Sequence, residues 1–311
     1  MNSRRLVASF CDAGPGRLAR AALSRSRGGY ILAFHDIAPE IFESLVLALA
    51  PDEAVSLDEL VARHRALKST RGCFAITLDD GYADSIPGIC AVARRRQWPA
   101  TVFLPTRYLD CGELPCVRLQ GLRDVLPRCC FQFDGAEIDL REASRHARWF
   151  EDWNQKIYTT HEREYQPSID RLLDELAEAD IVKQSELAEY PRALNWEQVR
   201  MLSSDLVRFE SHGVSHNAVA TLTDEELEQE LVNSKASIEQ HTGRTVNHFC
   251  YPYGGAESVG RRAPAIVARF YDSAVTMTRG RLGKHPPELL PRIPLYPADS
   301  PAVVRLKVVV R

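Results

Sequence analysis

Apolar and polar positions along this chain occur in blocks. Strand-like segments of five or six residues, each apolar at three or more positions, recur at residues 30–34, 73–78, 100–104, 206–210, 246–250 and 273–277. Runs of this length, bounded by turn signals, predict strands that are buried on both faces. Segments with helical spacing separate most of these runs. The pattern therefore predicts an α/β fold, with parallel strands inside and helices packed around them.

Several of the predicted helices have clear start and stop signals. Ser56 is a suitable N-cap for the helical spacing over residues 57–67. Thr223 and Glu226 form a capping box, and the helix that they open is expected to end near Gly243. Further helices are predicted over residues 85–97, 196–199 and 263–270.

The last part of the chain has a weaker pattern. Residues 289–295 are mostly apolar but contain Pro291 and Pro294, which cannot donate ladder hydrogen bonds. This run therefore predicts an edge strand or an extended segment. Pro301 could begin a terminal helix, whereas the valines over residues 303–310 fit a strand equally well.

The strand–helix alternation is interrupted over residues 106–192. Two short strand-like runs flank Asp134-Gly135, and residues 141–189 have the composition of charged helices. We predict a largely helical insertion, either a lid over the site or a stabilising flank. The predicted organisation is a basic arm (1–29), a main domain (30–299) that contains the insertion, and a C-terminal segment (300–311).

Composition and charge limit the function classes. A chain of 311 residues with 45% hydrophobic and 26% charged residues is typical of a soluble globular protein. The net charge of -3 gives no support for nucleic-acid binding. No run approaches the roughly 20 apolar residues that span a bilayer.

The start of the chain is basic. The first 28 residues contain six arginines but one acid, Asp12, and their apolar run over residues 6–8 is too short for a secretory signal. We therefore predict a cytoplasmic protein. A solvated terminus, an organellar transit peptide and a basic arm on anionic lipid are all compatible with this composition.

Four of the eight cysteines, Cys111, Cys116, Cys129 and Cys130, cluster in the predicted insertion. A small zinc or disulfide staple is conceivable there. However, the chain has no C-x-x-C pair, and this spacing fits a zinc finger poorly. We expect reduced thiols.

Polar or aromatic groups follow four of the predicted strands, namely His35-Asp36, Asp79-Asp80, His212 with His216, and residues 251–253. The Asp-Asp-Gly sequence alone could be an acidic turn that closes a strand. Active sites of parallel α/β folds, however, gather at the carboxyl ends of the strands. Four such ends together indicate a site.

His212 and His216 could share a metal ion. In a helical turn their spacing would place both imidazoles on one face, although such a pair is often only a surface or capping feature. With Asp80 they would form a His-His-Asp set that suits zinc or another divalent first-row ion. Asp79 would then remain as a base, because a metal lowers the pKa of bound water from about 16 to about 7.

Three segments resemble the motifs of polysaccharide deacetylases, the NodB-homology or carbohydrate esterase 4 family. They are Thr-Leu-Asp-Asp-Gly at 77–81, the His-x-x-x-His at 212–216 after a Phe-Glu-Ser strand, and Phe-Cys-Tyr-Pro-Tyr-Gly at 249–254. The resemblance covers roughly residues 30–105 and 195–297. It implies a distorted (β/α) barrel of about seven strands and metal-dependent removal of N-acetyl groups from sugars.

Carried over residue by residue, the resemblance implies that Asp80, His212 and His216 bind the metal. Asp79 would be the general base, and the backbone amide of Tyr253 would stabilise the oxyanion. An amide fixed in a turn is a preorganised donor for developing charge. The alternative for residues 251–253 is an aromatic turn that packs on the core.

The chain departs from the family pattern at several positions. Gly213 and Asn217 stand where the family often has Ser or Thr and Pro, so we expect altered loop hydrogen bonding with intact ligands. Cys250 stands in place of the arginine that partners the base, and Arg292 is our candidate substitute; the alternative is a surface arginine.

The family's late Leu-x-His, which supplies a general acid, is also absent. His35 resembles the N-terminal Tyr-His motif of one branch and is our candidate acid, with His285 as a lesser choice. The remaining histidines are expected to be helix or surface residues, namely His64, His146, His161, His241 and His248.

These features predict a Zn²⁺-dependent or other metal-dependent N-deacetylase. Its substrate would be an N-acetylated amino sugar in a glycan or glycan precursor, which could be lipid-linked. The sequence leaves the oligomeric state open. One alternative is a deformylase or imide-type amidohydrolase on the same barrel. Another is a catalytically degenerate glycan-binding protein.

Overall fold

The computed structural model describes residues 28–112, 115–183 and 192–309. Its strands are β1 (Tyr30–Phe34), β2 (Glu53–Ala54), β3 (Cys73–Leu78), β4 (Ala100–Leu104), β5 (Cys130–Phe133), β6 (Ala136–Asp139), β7 (Val207–Ser211), β8 (His248–Cys250), β9 (Ser273–Arg279) and β10 (Leu290–Pro294). Seven parallel strands form a closed barrel in the order β1-β10-β9-β8-β7-β4-β3, and β3 pairs with β1 to close it. The predicted (β/α) barrel is confirmed.

Neighbouring side chains along a barrel strand pack in two different apolar clusters. Leu32 and Phe34 of β1 pack in the larger apolar cluster, which includes the surrounding helices. Ile31 instead joins Phe103 and Leu290 in a smaller cluster. Because side chains alternate along a strand, the smaller cluster fills the barrel and the larger one lies between barrel and helices.

The helices lie largely where the periodicity predicts them. They are α1 (Pro39–Leu47), α2 (Leu57–Arg65), α3 (Ile86–Arg96), α4 (Tyr108–Cys111), α5 (Pro115–Val125), α6 (Ala143–Thr159), α7 (Glu162–Glu178), α8 (Trp196–Leu202), α9 (Asp224–Thr242), α10 (Ala256–Val259), α11 (Ala263–Val267) and α12 (Pro301–Val309). Ser56 caps α2 by accepting the N–H of Glu59. Thr223 caps α9 in a complete capping box, and Gly243 ends it in a left-handed conformation.

The expectation of an edge strand near the C-terminus was wrong. β10 lies inside the barrel, paired with β1 on one side and β9 on the other. Pro291 is tolerated because the register with β9 shifts between Leu290 and Arg292, and Pro294 ends the strand. The terminal segment, for which the sequence fits a helix or a strand, is the helix α12.

Apolar residues between Leu119 and Val182 form a second cluster beside the barrel. The hairpin of β5 and β6 is antiparallel, and residues such as Phe131, Trp153 and Ile169 pack with it and with α6 and α7. The charged helical region expected over residues 141–189 contains two helices, α6 and α7. Its residues 184–189, and the basic arm up to residue 27, lie outside the described residues.

Cys129 and Cys130 of this region are free thiols, as expected. The side chains of the other two clustered cysteines lie outside the description. Within the described ranges, no helix has the length and apolar character that a membrane crossing requires.

Candidate active site

The strand ends singled out in the sequence meet at one edge of the barrel. They line a cavity of about 400 Å³, whose walls include His35, Asp79, Asp80, His216 and Tyr253. His212 lies in the same wall. The structure therefore brings together the candidate site residues except two: Arg292, which is fully buried and pairs with Asp79, and the lesser acid candidate His285.

Asp80 faces the two histidines that follow β7. Its Oδ1 lies 3.2 Å from His216 Nε2 and 3.6 Å from His212 Nε2. Its Oδ2 accepts a hydrogen bond from the Tyr82 hydroxyl at 2.9 Å. Asp80 has a φ of 69°, a left-handed conformation that turns its side chain away from the alternation of β3.

The chemistry of this set fits a divalent metal ion. Asp80, His212 and His216 each offer one ligand atom, and these atoms lie within 4.8 Å of one another. Asp80 Oδ1 is buried and has no hydrogen-bond partner among the residues that the structure describes, which is costly unless a cation satisfies it. His212 Nδ1 lies 2.7 Å from the carbonyl of Cys250, which fixes the ring so that Nε2 faces the site.

Burial also favours the ligand form of His212. It lowers the pKa of this imidazole to about 4, and the neighbouring His216 acts in the same direction. Burial opposes ionisation of Asp80, but the facing His216 outweighs it and holds the pKa of the carboxyl below its ordinary value. A neutral imidazole and an ionised carboxylate are the protonation states that metal ligands need.

The segment that carries both histidines is a loop, so the helical turn assumed from their spacing was wrong. Gly213 and His216 have φ values of 81° and 58°, and the loop folds back until the imidazole centroids are 4.7 Å apart. Glu230 of α9 holds this loop. Its Oε2 accepts the N–H groups of Val214 at 2.6 Å and Ser215 at 3.0 Å.

Asn217 adds a second support where the family often has proline. Its Nδ2 donates to Ser215 Oγ at 2.7 Å, and its Oδ1 accepts the N–H of Glu162 at 2.7 Å. Tyr108 donates through its hydroxyl to Ser215 O at 2.9 Å. The loop is thus tied to α4 and α7 as well as to the barrel.

Asp79 is paired with Arg292, the arginine that the sequence suggested as a substitute. Arg292 Nη1 and Nη2 donate to the two carboxylate oxygens, each at 2.7 Å, in a bidentate fork. Its remaining donors reach Thr276 O at 3.0 Å, Thr77 Oγ1 at 3.1 Å and Cys250 Sγ at 3.2 Å. A guanidinium on β10 thus occupies the space beside a small thiol on β8.

Burial disfavours the charged form of Asp79, but the charge and hydrogen bonds of Arg292 outweigh it. The pKa of Asp79 consequently lies below its ordinary value. Burial raises the pKa of the Cys250 thiol well above its ordinary value, so Cys250 is a neutral neighbour. Arg292 is therefore not shared between two anions.

His35 lies at the mouth of the cavity. Its Nε2 is 3.5 Å from Asp79 Oδ2, and its side chain is 40% exposed. His285, the lesser candidate, does not line this cavity; its carbonyl contacts the His64 ring, in a different pocket.

His248, which was expected on a helix or the surface, is buried in β8, because its ring pairs with Ser273 and Asp58 inside the fold.

Tyr253 and Gly254 form a tight left-handed turn after β8, with φ values of 61° and 62°. A side chain at Gly254 would place its Cβ 2.5 Å from the N of Met277, so the turn requires glycine. The Tyr253 hydroxyl lies 3.3 Å from His216 Nδ1. This turn fixes the backbone of Tyr253, a residue of the cavity wall.

Sequence reasoning missed several residues of the site. Tyr82 follows the Asp-Asp-Gly motif directly, so its position could have drawn attention. Glu230 lies four residues after Glu226 on a helix rich in acids, and nothing in the pattern distinguishes it. Asn154 and Tyr158 of α6 also line the cavity, from a segment that has no motif.

Comparison with known proteins agrees with these motifs. A family model described as polysaccharide deacetylase matches residues 152–264. The matched range includes His212 and His216, whereas Asp79 and Asp80 precede it. It also begins before residue 195, where the sequence resemblance was taken to resume. No curated protein matches the chain.

Several solved structures share the fold. The Streptococcus pyogenes deacetylase PplD, solved in complex with acetate, aligns with a TM-score of 0.59 and 13% identity, over 90% of this chain and 97% of that one. The Bacillus cereus polysaccharide deacetylase BC0361 aligns with a TM-score of 0.55 and 14% identity, over 91% and 69% of the two chains. IcaB from Ammonifex degensii aligns with a TM-score of 0.53 and 14% identity, over 91% and 97%.

The family model and the shared barrel agree with the motifs at the strand ends. The resemblance to polysaccharide deacetylases (NodB homology) predicted from the sequence is confirmed.

Proposed function

We propose that this protein is a metal-dependent N-deacetylase that removes acetyl groups from N-acetylated amino sugars. One observation carries the proposal. The two adjacent carboxylates have separate partners, Asp80 facing two imidazoles and Asp79 held by a guanidinium, at the wall of one cavity. Adjacent carboxylates with different partners can take different roles, one as a ligand and one as a base.

Asp80, His212 and His216 would hold the metal. When bound, a divalent ion supplies Lewis-acid polarisation and lowers the pKa of water. The buried Asp80 Oδ1, which no group in the described part of the chain hydrogen-bonds, supports this role. The residues fit Zn²⁺ and other first-row divalent ions alike.

Asp79 is the proposed general base. Arg292 fixes its orientation and keeps it ionised, while the second lone pair of each oxygen can accept a proton from water. His35, at the cavity mouth, would donate a proton to the departing amine. The Tyr253 amide would stabilise the negative oxygen as the carbonyl is attacked. The products are acetate and a free amino sugar.

The proposal is tested by acetate release from N-acetylglucosamine-containing sugars after chelation and addition of single metal ions. We expect activity to disappear on chelation and to return with Zn²⁺ or another divalent ion. The variant Asp80→Ala should lose both bound metal and activity. Acetate release that survives complete chelation would contradict the proposal.

The two alternatives give different outcomes in the same assay. Formate release from N-formyl sugars without acetate release would favour a deformylase. Metal binding that is lost in Asp80→Ala, without hydrolysis by the wild type, would favour a glycan-binding protein. The cytoplasmic location, the domain boundaries and a lipid-linked substrate stay predictions.

A further inference from the structure

The end of the barrel opposite the candidate active site has a second pocket. It has a volume of about 570 Å³ and lies between the end of α2 and the loop before β10. Its lining includes Thr70, which precedes β3, and Pro287, which precedes β10, so the pocket lies at the amino ends of the strands. His64 Nε2 lies 2.8 Å from the carbonyl of His285 and joins its two sides. The proposed deacetylase chemistry uses none of these residues.

The charged side chains around this pocket are basic. Arg65, Lys68 and Lys284 line it, and none of the described residues in its lining is acidic. Arg65 pairs with the exposed Asp272 at 2.6 Å. Lys68 and Lys284 are exposed and, within the described part of the chain, have no salt-bridge partner. A protein with a net charge of -3 therefore has a local positive surface at this end, which attracts anionic surfaces.

Leu67 is an apolar side chain held in solvent among these cations. It is 94% exposed, although a leucine gains by burial. Its φ of 54° is a left-handed conformation that is uncommon for a bulky residue. Two backbone hydrogen bonds fix the turn, from the Leu67 N–H to His64 O at 3.0 Å and from the Lys68 N–H to Arg63 O at 2.8 Å. An apolar group flanked by cations can combine burial in a membrane interface with attraction to anionic lipids.

The basic arm joins the barrel at this same end. Gly28 lies beside the pocket, since a side chain there would place its Cβ 3.6 Å from Thr70 Oγ1 and 3.8 Å from Gly283 N. Arg25 and Arg27 precede Gly28 by three positions and one position in the sequence, and three residues reach at most about 11 Å. The composition of the arm therefore adds positive charge beside the pocket.

We propose that this surface docks the protein on a membrane that contains anionic lipids. We call it the basic pole, and it consists of Arg65, Leu67, Lys68 and Lys284. The cationic groups would pair with lipid phosphates, and Leu67 would enter the headgroup layer. The barrel strands run from the basic pole to the candidate active site, and β1, with five residues, is about 17 Å long. The docked protein would therefore present its active-site cavity to the aqueous side, away from the lipid.

Sedimentation of the full chain with lipid vesicles tests the docking. We expect binding to phosphatidylcholine vesicles in which about a third of the lipid is phosphatidylglycerol, and no binding to phosphatidylcholine alone. Lys68→Ala and Lys284→Ala should each weaken this binding about fivefold, because each removes one cation from the anionic surface. Leu67→Ala should weaken it about tenfold, because it removes the apolar group and keeps the charges. Binding should also fall as NaCl is raised to about 1 M.

Lys156→Ala is the matched control. Lys156 is an exposed lysine on α6, next to the cavity-lining Ile157, so it lies at the other end of the barrel from the basic pole. Its loss removes the same charge and should leave vesicle binding at the wild-type level. Equal urea midpoints of all variants would show that each one folds. Docking needs no catalysis, so the vesicle assay gives its result whether or not the protein releases acetate.

The same measurements define the results that would overturn the docking. These are no binding to the anionic vesicles, equal binding to both kinds of vesicle, wild-type binding by the double variant Lys68→Ala/Lys284→Ala, or an equal loss in Lys156→Ala. Lysine-dependent binding to heparin without binding to the anionic vesicles would assign the basic pole to a soluble polyanion and would also overturn it.

Discussion

Replacing Arg292 by Met tests the pairing at the centre of the site. The guanidinium is fully buried and donates to both oxygens of Asp79 at 2.7 Å, so its loss leaves a buried carboxylate without its counter-charge. Breaking a buried pair by removing one partner costs about 3–5 kcal/mol. That loss is a large share of the roughly 5–15 kcal/mol by which a protein is stable.

Urea unfolding of four proteins measures this effect, namely the wild type, Arg292→Met, Asp79→Asn and the double variant. We expect Arg292→Met to lose about 3–5 kcal/mol and the double variant to lose about 2 kcal/mol less than the sum of the single losses. Arg244→Met is the matched control, because Arg244 pairs with an Asp205 that is 95% exposed. Its loss should stay below about 1 kcal/mol.

The activity of Arg292→Lys refines the same prediction. Lysine keeps the charge but not the fork, so we expect the carboxylate to stay ionised but lose its fixed orientation. kcat should fall more than KM rises. A loss of stability below about 1 kcal/mol in Arg292→Met, with additive single and double variants, would refute the reasoning.

Three further predictions concern the supports of the site and the base of the barrel. Glu230→Ala should weaken Zn²⁺ binding about 10–100-fold in a chelator competition. Glu230→Gln, which keeps a hydrogen-bond acceptor, should recover most of the affinity. Equal Zn²⁺ affinities of the wild type and Glu230→Ala would contradict the role of Glu230 in holding the histidine loop. Gly254→Ala should cost about 1–3 kcal/mol more than Gly135→Ala in urea unfolding, because only the former Cβ meets another atom within 4 Å. The hydrogen bond to His248 outweighs burial and lowers the pKa of Asp58 to about 2. The pair therefore stabilises the fold at pH values above the ordinary pKa of the carboxyl, and this stabilisation is lost as the pH falls. Because Asp58 is 41% exposed, we expect Asp58→Asn to cost only about 1 kcal/mol near pH 6, with the difference narrowing toward about pH 3; a constant difference would contradict the linkage.

The strands and their terminal motifs could be predicted because their signals are local. β3 and β4 have the predicted bounds, since each is a continuous apolar run that ends at a turn. Arg292 could be proposed as the partner of Asp79 because a buried carboxylate requires a cation and the usual position holds Cys250. Its fork geometry depends on where β10 meets β3 in space, which the sequence does not specify.

The errors have physical causes of the same kind. The two prolines suggested an edge for β10, but a register shift accommodates Pro291 within the barrel. The spacing of His212 and His216 fits one face of a helix, but the segment is a loop. The left-handed conformation of Gly213 and the hydrogen bond that Glu230 accepts from this loop still bring the two imidazoles together. Tertiary contacts rather than spacing bring these imidazoles together.

The individual residues of the cavity walls could not have been predicted, although a lid formed by the insertion was one of the two expectations for that segment. Asn154 lies on an amphipathic helix whose apolar face accounts for its pattern, and its position over the site follows from the packing of α6 against α10. Tyr296 follows a proline-containing strand and has no motif of its own.

Acetate release and metal content, measured together on the wild type and Asp79→Asn, test the central claim most directly. We expect both proteins to bind one divalent ion per chain, because Asp79 is not a proposed ligand, and only the wild type to release acetate from N-acetylglucosamine oligosaccharides. Equal acetate release by the two proteins, or loss of the metal in Asp79→Asn, would contradict the division of roles between Asp79 and Asp80.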